Sequence, residues 1–222
     1  MSGVNCGITL TEKKFRITGV QDLLGSSPLS KQVYSEYIKT KAQKSQDPTR
    51  VAFNMQNAES DTEDIPDMEE KMTGFYRDGN SNVPVLKGYQ VKGFLKAAAN
   101  TLKGQLGLKQ ATSKIDKYVF IKEEKIYFYR DGEKIEDPEG TLERPLRAET
   151  MQGPRVALAC SEVIKEGYQC EFTVVVLENE GTKQSKAIDM DMICTLLSYG
   201  QYNGLLQWRN AGYGSFTVEE IK

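Results

Sequence analysis

Residues 200–216 constrain the fold more than any other stretch of this chain. Gly200, Gly204, Gly212 and Gly214 fall there together with Trp208, Arg209 and Tyr213, and the strand-like Ser215–Val218 follows at once. Glycine loses more conformational freedom on folding than any other residue, so this density calls for close backbone approach or positive φ. An arginine among glycines and aromatics suits a phosphate or a flat base. A plain turn between a helix and an edge strand is the other reading, and the rest of the chain decides between them.

Composition sets the outer limits. The chain has 222 residues, 39% hydrophobic and 27% charged, which fits a globular protein able to bury a substantial core. No apolar run is long enough to span a bilayer. Met1–Asn5 show neither the basic nor the apolar region of a signal peptide. The expectation is a cytoplasmic protein without membrane contact.

Two residue types narrow the chemistry. There is no histidine, which removes histidine general acid–base catalysis, Ser-His and Cys-His nucleophile pairs and histidine-ligated zinc. The four cysteines, Cys6, Cys160, Cys170 and Cys194, show no CxxC spacing and read as structural thiols, Cys160 and Cys170 within strand-like runs. No metal and no cofactor is expected.

The formal net charge is −2, the wrong sign for a nucleic-acid binder. Residues 57–72 account for it: they carry seven acids and one lysine, and the remainder is net +4, with 28 basic and 24 acidic residues. This block reads as a solvated surface insertion or mobile loop. It also has the charge to repel nucleic acid from one face or to dock a basic partner.

Hydrophobic periodicity places the elements. Val4–Leu10 and Lys14–Val20 read as two strands, with Cys6, Ile8 and Leu10 on one face of the first and Phe15 and Ile17 on one face of the second. The Gly25–Pro28 segment closes this unit, and Leu29–Gln43 reads as a basic helix capped by Ser27 or Ser30. Residues 45–82 are polar, with a short strand at Val51–Asn54. Val91–Lys103 is the clearest helix: Val91, Phe94, Leu95, Ala98 and Leu102 form its apolar stripe. Lys92, Lys96 and Lys103 lie beside that stripe, about 100° to 140° from its centre. Lys117–Ile121 and Lys125–Arg130 read as strands, and Asp131-Gly132 as a hairpin turn leading to Glu133–Ile135. Two longer strands, Arg155–Ile164 and Gln169–Leu177, flank Lys165–Gly167, and Ile188–Tyr199 is a helix apolar on most sides. Arg144, Arg147 and Arg155 flank a segment punctuated by glycine and proline; they suit phosphate contact or surface ion pairs.

Two spaced motifs together resemble a known family. The segment Leu86–Lys96 contains Gly88, Lys92, Gly93 and Lys96 in the order glycine, basic, glycine, basic at the opening of the first helix. It resembles the corresponding segment of the RAMP superfamily of CRISPR-associated RNA-binding proteins, with Tyr89-Gln90 where that family has small hydroxyl residues. The second motif is the apolar helix followed by Gly200–Gly204 and Trp208–Phe216, which is similar to the family's carboxy-terminal glycine-rich loop.

The resemblance implies an α+β fold: a ferredoxin-like (RRM-like) core with an antiparallel sheet and inserted loops. It implies a single RAMP-like domain over residues 1–222, with a polar and acidic insertion at about 45–82 and a hairpin insertion at about 122–140. It further implies a backbone-type subunit that coats guide or single-stranded RNA and self-associates, as a homo-oligomer or within a ribonucleoprotein complex; with no histidine in the chain, a non-catalytic one is expected. Lys87, Gly88, Lys92, Gly93, Lys96, Arg209, Gly212, Tyr213 and Gly214 become the candidate RNA contacts, and Trp208 is a stacking platform or a core anchor. Lysines at a helix start offer charge and backbone N–H groups to phosphate, and flat aromatics accept bases.

Two other readings stay open. One is a RAMP-like protein-interaction module that mimics or caps an RNA-guided complex, which the sequence pI of about 5.5 favours. The other is a metal-dependent ribonuclease, for which Asp22 is the only candidate, a single acid without a paired carboxylate in sequence.

Overall fold

The computed structural model describes residues 9–29, 72–150, 153–178 and 186–221. In chain order these form strands β1 (Leu10–Gly19), β2 (Leu23–Leu24), β3 (Ser27–Pro28), β4 (Met72–Gly74), β5 (Tyr76–Arg77) and β6 (Pro84–Lys87). Helices α1 (Gly88–Leu106) and α2 (Ala111–Tyr118) follow, then strands β7 (Val119–Ile121), β8 (Lys125–Tyr127), β9 (Tyr129–Arg130) and β10 (Glu133–Lys134). The long strands β11 (Gly140–Thr150), β12 (Gly153–Ile164) and β13 (Gln169–Leu177) precede helix α3 (Met190–Ser198) and strand β14 (Phe216–Ile221).

The central sheet runs β7-β13-β1-β14, each pair antiparallel. With α1 between β1 and β7 and α3 between β13 and β14, this is the βαββαβ arrangement of a ferredoxin-like core. Its cause is visible in the side chains. Phe15 and Ile17 on β1 and Cys170, Phe172, Val174 and Val176 on β13 point to one face and are buried. Val91, Phe94, Leu95, Ala98 and Ala99 of α1 and Met192, Ile193, Leu196 and Leu197 of α3 join them in a single core. Each large apolar side chain withdrawn from water contributes about 1.5–3 kcal/mol. Phe94 and Phe216 meet edge to face at 5.2 Å and tie α1 to β14.

The helix ends follow from local chemistry. The Gln90 side chain accepts from the backbone N–H of Lys87 at 2.9 Å at the start of α1, and Gly107 at φ 65° ends the helix. Asp189 caps α3 by accepting from the Met192 N–H at 2.8 Å. Among the described residues no helix is long and apolar enough to cross a membrane.

The insertions build two smaller sheets. β11 and β12 form a long hairpin in register from Gly140↔Val163 to Thr150↔Gly153, and β12 also pairs with β4 in parallel and with β2. β5, β6 and β8 form the third sheet.

Several sequence expectations hold at residue level. β13 spans Gln169–Leu177 as expected, and Asp131 (φ 52°) and Gly132 (φ 84°) turn β9 into β10. Others are corrected. No break separates two strands at residues 11–13: β1 is continuous, paired with β13 without interruption from Leu10↔Leu177 to Thr18↔Gln169, and Glu12 and Lys13 have partners in Lys122 and Glu220. Lys117 and Tyr118 belong to α2, whose two buried residues, Ala111 and Ile115, leave too weak a stripe to read. The expected strand over Lys125–Arg130 is split at the fully buried Phe128, β8 pairing with β6 and β9 with β13. The short strands β2 to β6 and the long strand β11 have no counterpart among the strands expected from the sequence. The helix at Leu29–Gln43, the strand at Val51–Asn54, Cys6, most of the strand at Val4–Leu10 and nearly all of the acidic block lie outside the described residues.

Candidate nucleic-acid interface

The loop between α3 and β14 is folded back on itself by its glycines. A Cβ on Gly204 would stand 2.0 Å from the backbone carbon of Gly214, and one on Gly214 would stand 2.3 Å from the carbonyl of Leu205. The Leu205 N–H donates to the Gly214 carbonyl at 2.9 Å, and the Gly214 N–H donates to the Asp22 carbonyl at 2.8 Å. Between these clamps the chain adopts left-handed backbone at Leu206 (φ 61°) and Trp208 (φ 54°). For residues with a Cβ that conformation costs about 1–2 kcal/mol each. Gly212, at φ 90° with open space around it, closes the short turn Arg209–Ala211.

The strained segment presents an aromatic pair over a buried cation. The Trp208 and Tyr213 rings stack at 5.0 Å with 12° between their planes. The Arg144 guanidinium lies 5.1 Å from the centre of the Trp208 ring. Arg144 comes from β11 and is 5% exposed. It donates to the Ser161 Oγ at 3.0 Å and to the Gln207 Oε1 at 2.6 Å, while the Thr73 and Ser161 hydroxyls share a hydrogen bond of 2.7 Å. Neighbouring strands β4, β12 and β11 thus supply a polar floor and the glycine loop a roof. No carboxylate pairs with Arg144 or Arg209 among the described residues.

The start of α1 is built differently. Lys87 is buried, its ammonium 3.7 Å from Glu124 and 5.6 Å from the centre of the Tyr76 ring. Gly88 is a packing glycine: a Cβ there would stand 2.3 Å from the carbonyl oxygen of Glu123. Lys92 donates to the Asp116 carbonyl at 3.1 Å and lies over the Phe120 ring at 5.1 Å. Burial draws its pKa below the ordinary lysine value, partly offset by Asp116. Lys96 pairs with the Asp116 carboxylate. Gly93 is exposed, with open space where a Cβ would be.

The two motifs each reach the segment Asp22–Ser26. Gln90 of α1 reaches Ser26 at 3.2 Å, and Gly214 reaches Asp22. Lys92 and Lys96 project from the other flank of α1, towards α2, because successive helical residues turn by about 100°. The structure therefore brings Gly212, Tyr213 and Gly214 together beside Arg209, and sets Lys87, Lys92 and Lys96 apart from them.

The remaining features sort readily. Both carboxylate oxygens of Asp22 are engaged, one by the Lys165 ammonium at 3.0 Å and one by the Glu166 N–H at 3.0 Å. Among the described residues no group of three His, Cys, Asp or Glu is placed to hold a metal ion. Cys160, Cys170 and Cys194 are free thiols, and burial pushes Cys170 well above the usual thiol pKa. On the sheet face turned away from the helices, Lys14, Arg16, Glu171 and Glu219 are joined in ion pairs. On that face β1, β13 and β14 carry no aromatic side chain; the exposed aromatic of this sheet is Phe120 on the edge strand β7, in register with Val175.

Sequence reasoning singled out Arg144 but not its surroundings. Its partners Ser161 and Gln207, and Thr73 beside them, are neutral, common and far apart in the chain; the strand pairing Ser161↔Thr73 and the fold of the glycine loop collect them. The side chains of Arg147 and Arg155 lie outside the described residues.

No protein-family model matches the chain, and no curated protein matches it. Among solved structures, it is similar to a chain of the Type III-B Cmr-beta complex bound to cognate target RNA, at 14% identity and a TM-score of 0.49, covering 96% of this chain and 61% of that one. It is also similar to a chain of a Type IV-B CRISPR complex, at 11% identity and a TM-score of 0.46, covering 95% of this chain and 90% of that one.

Proposed function

We propose that this protein is a non-catalytic RNA-binding subunit of the RAMP backbone type, which holds guide or single-stranded RNA and associates with further copies of itself in a ribonucleoprotein assembly. One observation carries the reading: a stacked Trp208–Tyr213 pair set on a strained glycine loop beside two arginines that have no carboxylate partner among the described residues. Aromatic rings beside uncompensated guanidinium groups are the means by which single-stranded nucleic acid is held without base-pair geometry. The sequence resemblance of Leu86–Lys96 and Gly200–Phe216 supports the same family. The engaged oxygens of Asp22 support a structural role for that residue rather than ribonuclease chemistry.

The test is anisotropy of a labelled single-stranded RNA over a salt series. Binding that weakens steeply with salt, and that falls in Arg209→Ala, is expected. A protein that stays free of RNA at low salt would remove the proposal.

A second reading, a protein-interaction module that caps an RNA-guided complex, is favoured by the exposed Leu158 and Tyr202, 75% and 79% accessible. It requires partner capture that survives Arg209→Ala and is lost in Tyr202→Ala.

A further inference from the structure

The cluster beneath Trp208 has an imbalance that the RNA-binding reading does not use. The Gln207 Oε1 is the acceptor on which Arg144, Ser161 and Thr73 converge, at 2.6, 3.2 and 3.4 Å. The Arg144 guanidinium, which can only donate, fixes the orientation of the amide, because a flipped amide would oppose donor to donor. The Gln207 Nε2 then has no acceptor among the described residues, and the Arg144 Nε is buried with none. The hydrogen-bonding capacity left over at this spot is therefore donor capacity, on a positively charged floor. A buried charge without a counter-charge is costly, and a planar guanidinium beside a fixed amide donor matches the oxygens of a phosphate.

What separates this floor from solvent is Trp208. Its ring lies over the guanidinium, its backbone is in the left-handed region, and it remains 39% exposed. No hydrogen bond holds its indole N–H among the described residues. The ring is kept in place by the Tyr213 stack and the cation beneath it. The backbone strain at Trp208 works against them.

We propose that Arg144 and Gln207 form a phosphate-binding site covered by the Trp208 ring, and that a phosphodiester of bound RNA enters it when the ring swings aside. This deepens the RNA-binding reading and rests on it. Arg209, the next residue along, is the cation that a phosphate meets before the cover opens.

Trp208 is the only tryptophan in the chain, so its emission and its quenching by acrylamide report on the cover alone. The full chain is titrated with a short labelled oligouridylate, read by anisotropy and by tryptophan emission, and separately with inorganic phosphate. Both probes are expected to raise acrylamide access to Trp208. Arg144→Gln is expected to weaken RNA binding about tenfold, to reduce the salt slope by about one phosphate contact, and to abolish the phosphate response. Arg144→Lys is expected to retain the charge-dependent slope.

Should Arg144→Gln not fold, Gln207→Glu serves in its place. It sets a carboxylate against Arg144, and is expected to raise the melting temperature while abolishing the phosphate response. RNA binding with unchanged affinity and slope in these variants would overturn the covered site and leave the RNA-binding reading standing. No RNA binding, but a phosphate response that Arg144→Gln removes, would overturn the RNA reading and keep the site. If neither probe alters Trp208, the site is overturned.

Discussion

The first turns of α1 and the loop before β14 are alike in sequence, each a short run of glycines with basic residues, and they are opposites in structure. At α1 the cations have partners: Lys96 pairs with Asp116, Lys92 bonds its carbonyl, and Lys87 is buried near Glu124. At the loop, Arg209 and the Arg144 that reaches under it from β11 have no carboxylate partner among the described residues, and the Trp208 ring lies over Arg144. The glycines differ in the same sense. Gly93 has open space around it, whereas Gly204 and Gly214 are pressed against backbone. What separates the proposed binding surface from the helix edge is therefore whether a basic residue is already neutralised. The number of basic residues does not decide it.

The largest expected effect tests the glycines. Gly204→Ala drives a Cβ into the Gly214 backbone and is expected to lower unfolding free energy by about 3 kcal/mol. Gly93→Ala, on an open helical position, is expected to raise it by about 0.5–1 kcal/mol. Denaturant titration of the two variants reads both, and destabilisation by Gly93→Ala would erase the contrast.

Next comes the binding contrast. Arg209→Ala is expected to weaken single-stranded RNA binding about tenfold, as for loss of a charged hydrogen bond. Lys96→Ala, already paired, is expected to change it by less than about threefold, and to change stability by no more than about 0.5 kcal/mol, as for other half-exposed pairs. Equal losses in anisotropy titrations would return the lysines of α1 to the interface.

The smallest effect concerns Lys92, whose charge is disfavoured by burial. Its folded pKa lies below the unfolded one, so the unfolded chain binds more protons in the window just beneath the ordinary value of 10.5. Wild-type stability should accordingly gain slightly as pH rises through that window, and Lys92→Met should lack the gain. Thermal melts of the two proteins at stepped alkaline pH decide it, and parallel curves would mean that Lys92 is not desolvated.

What the sequence disclosed followed from the range of each signal. Strand β13 and the stripe of α1 rest on local periodicity, and both were legible to within a turn or better. The Asp131-Gly132 turn was equally plain, since few residues accept positive φ in sequence. The glycine loop was legible as unusual, and Arg209 and Tyr213 as its polar and aromatic members. Helix α2 escaped because two buried positions do not make a pattern. The cluster under Trp208 escaped because Thr73, Arg144 and Ser161 come from three strands that only sheet pairing brings together, and Gln207 from the loop folded over them. The fate of Lys92 and Lys96 turned on Asp116, a residue from a helix the pattern did not reveal.

The order of the central sheet has a bearing on how the molecule comes into being. β1 is bordered by β13 and β14, so the Lys13–Glu220 contact closes a separation of 207 residues. While the chain is being synthesised, Phe15 and Ile17 have no strand to pair beside until residues 169–177 emerge. The β11–β12 hairpin needs only its own neighbouring residues and is complete at Ile164, just before β13 begins at Gln169. Non-local pairing forms slowly because loop closure precedes any contact that rewards it. The nascent protein should therefore carry a finished hairpin beside an unpaired central strand, and that interval is when its apolar face is most open to chaperones and to aggregation.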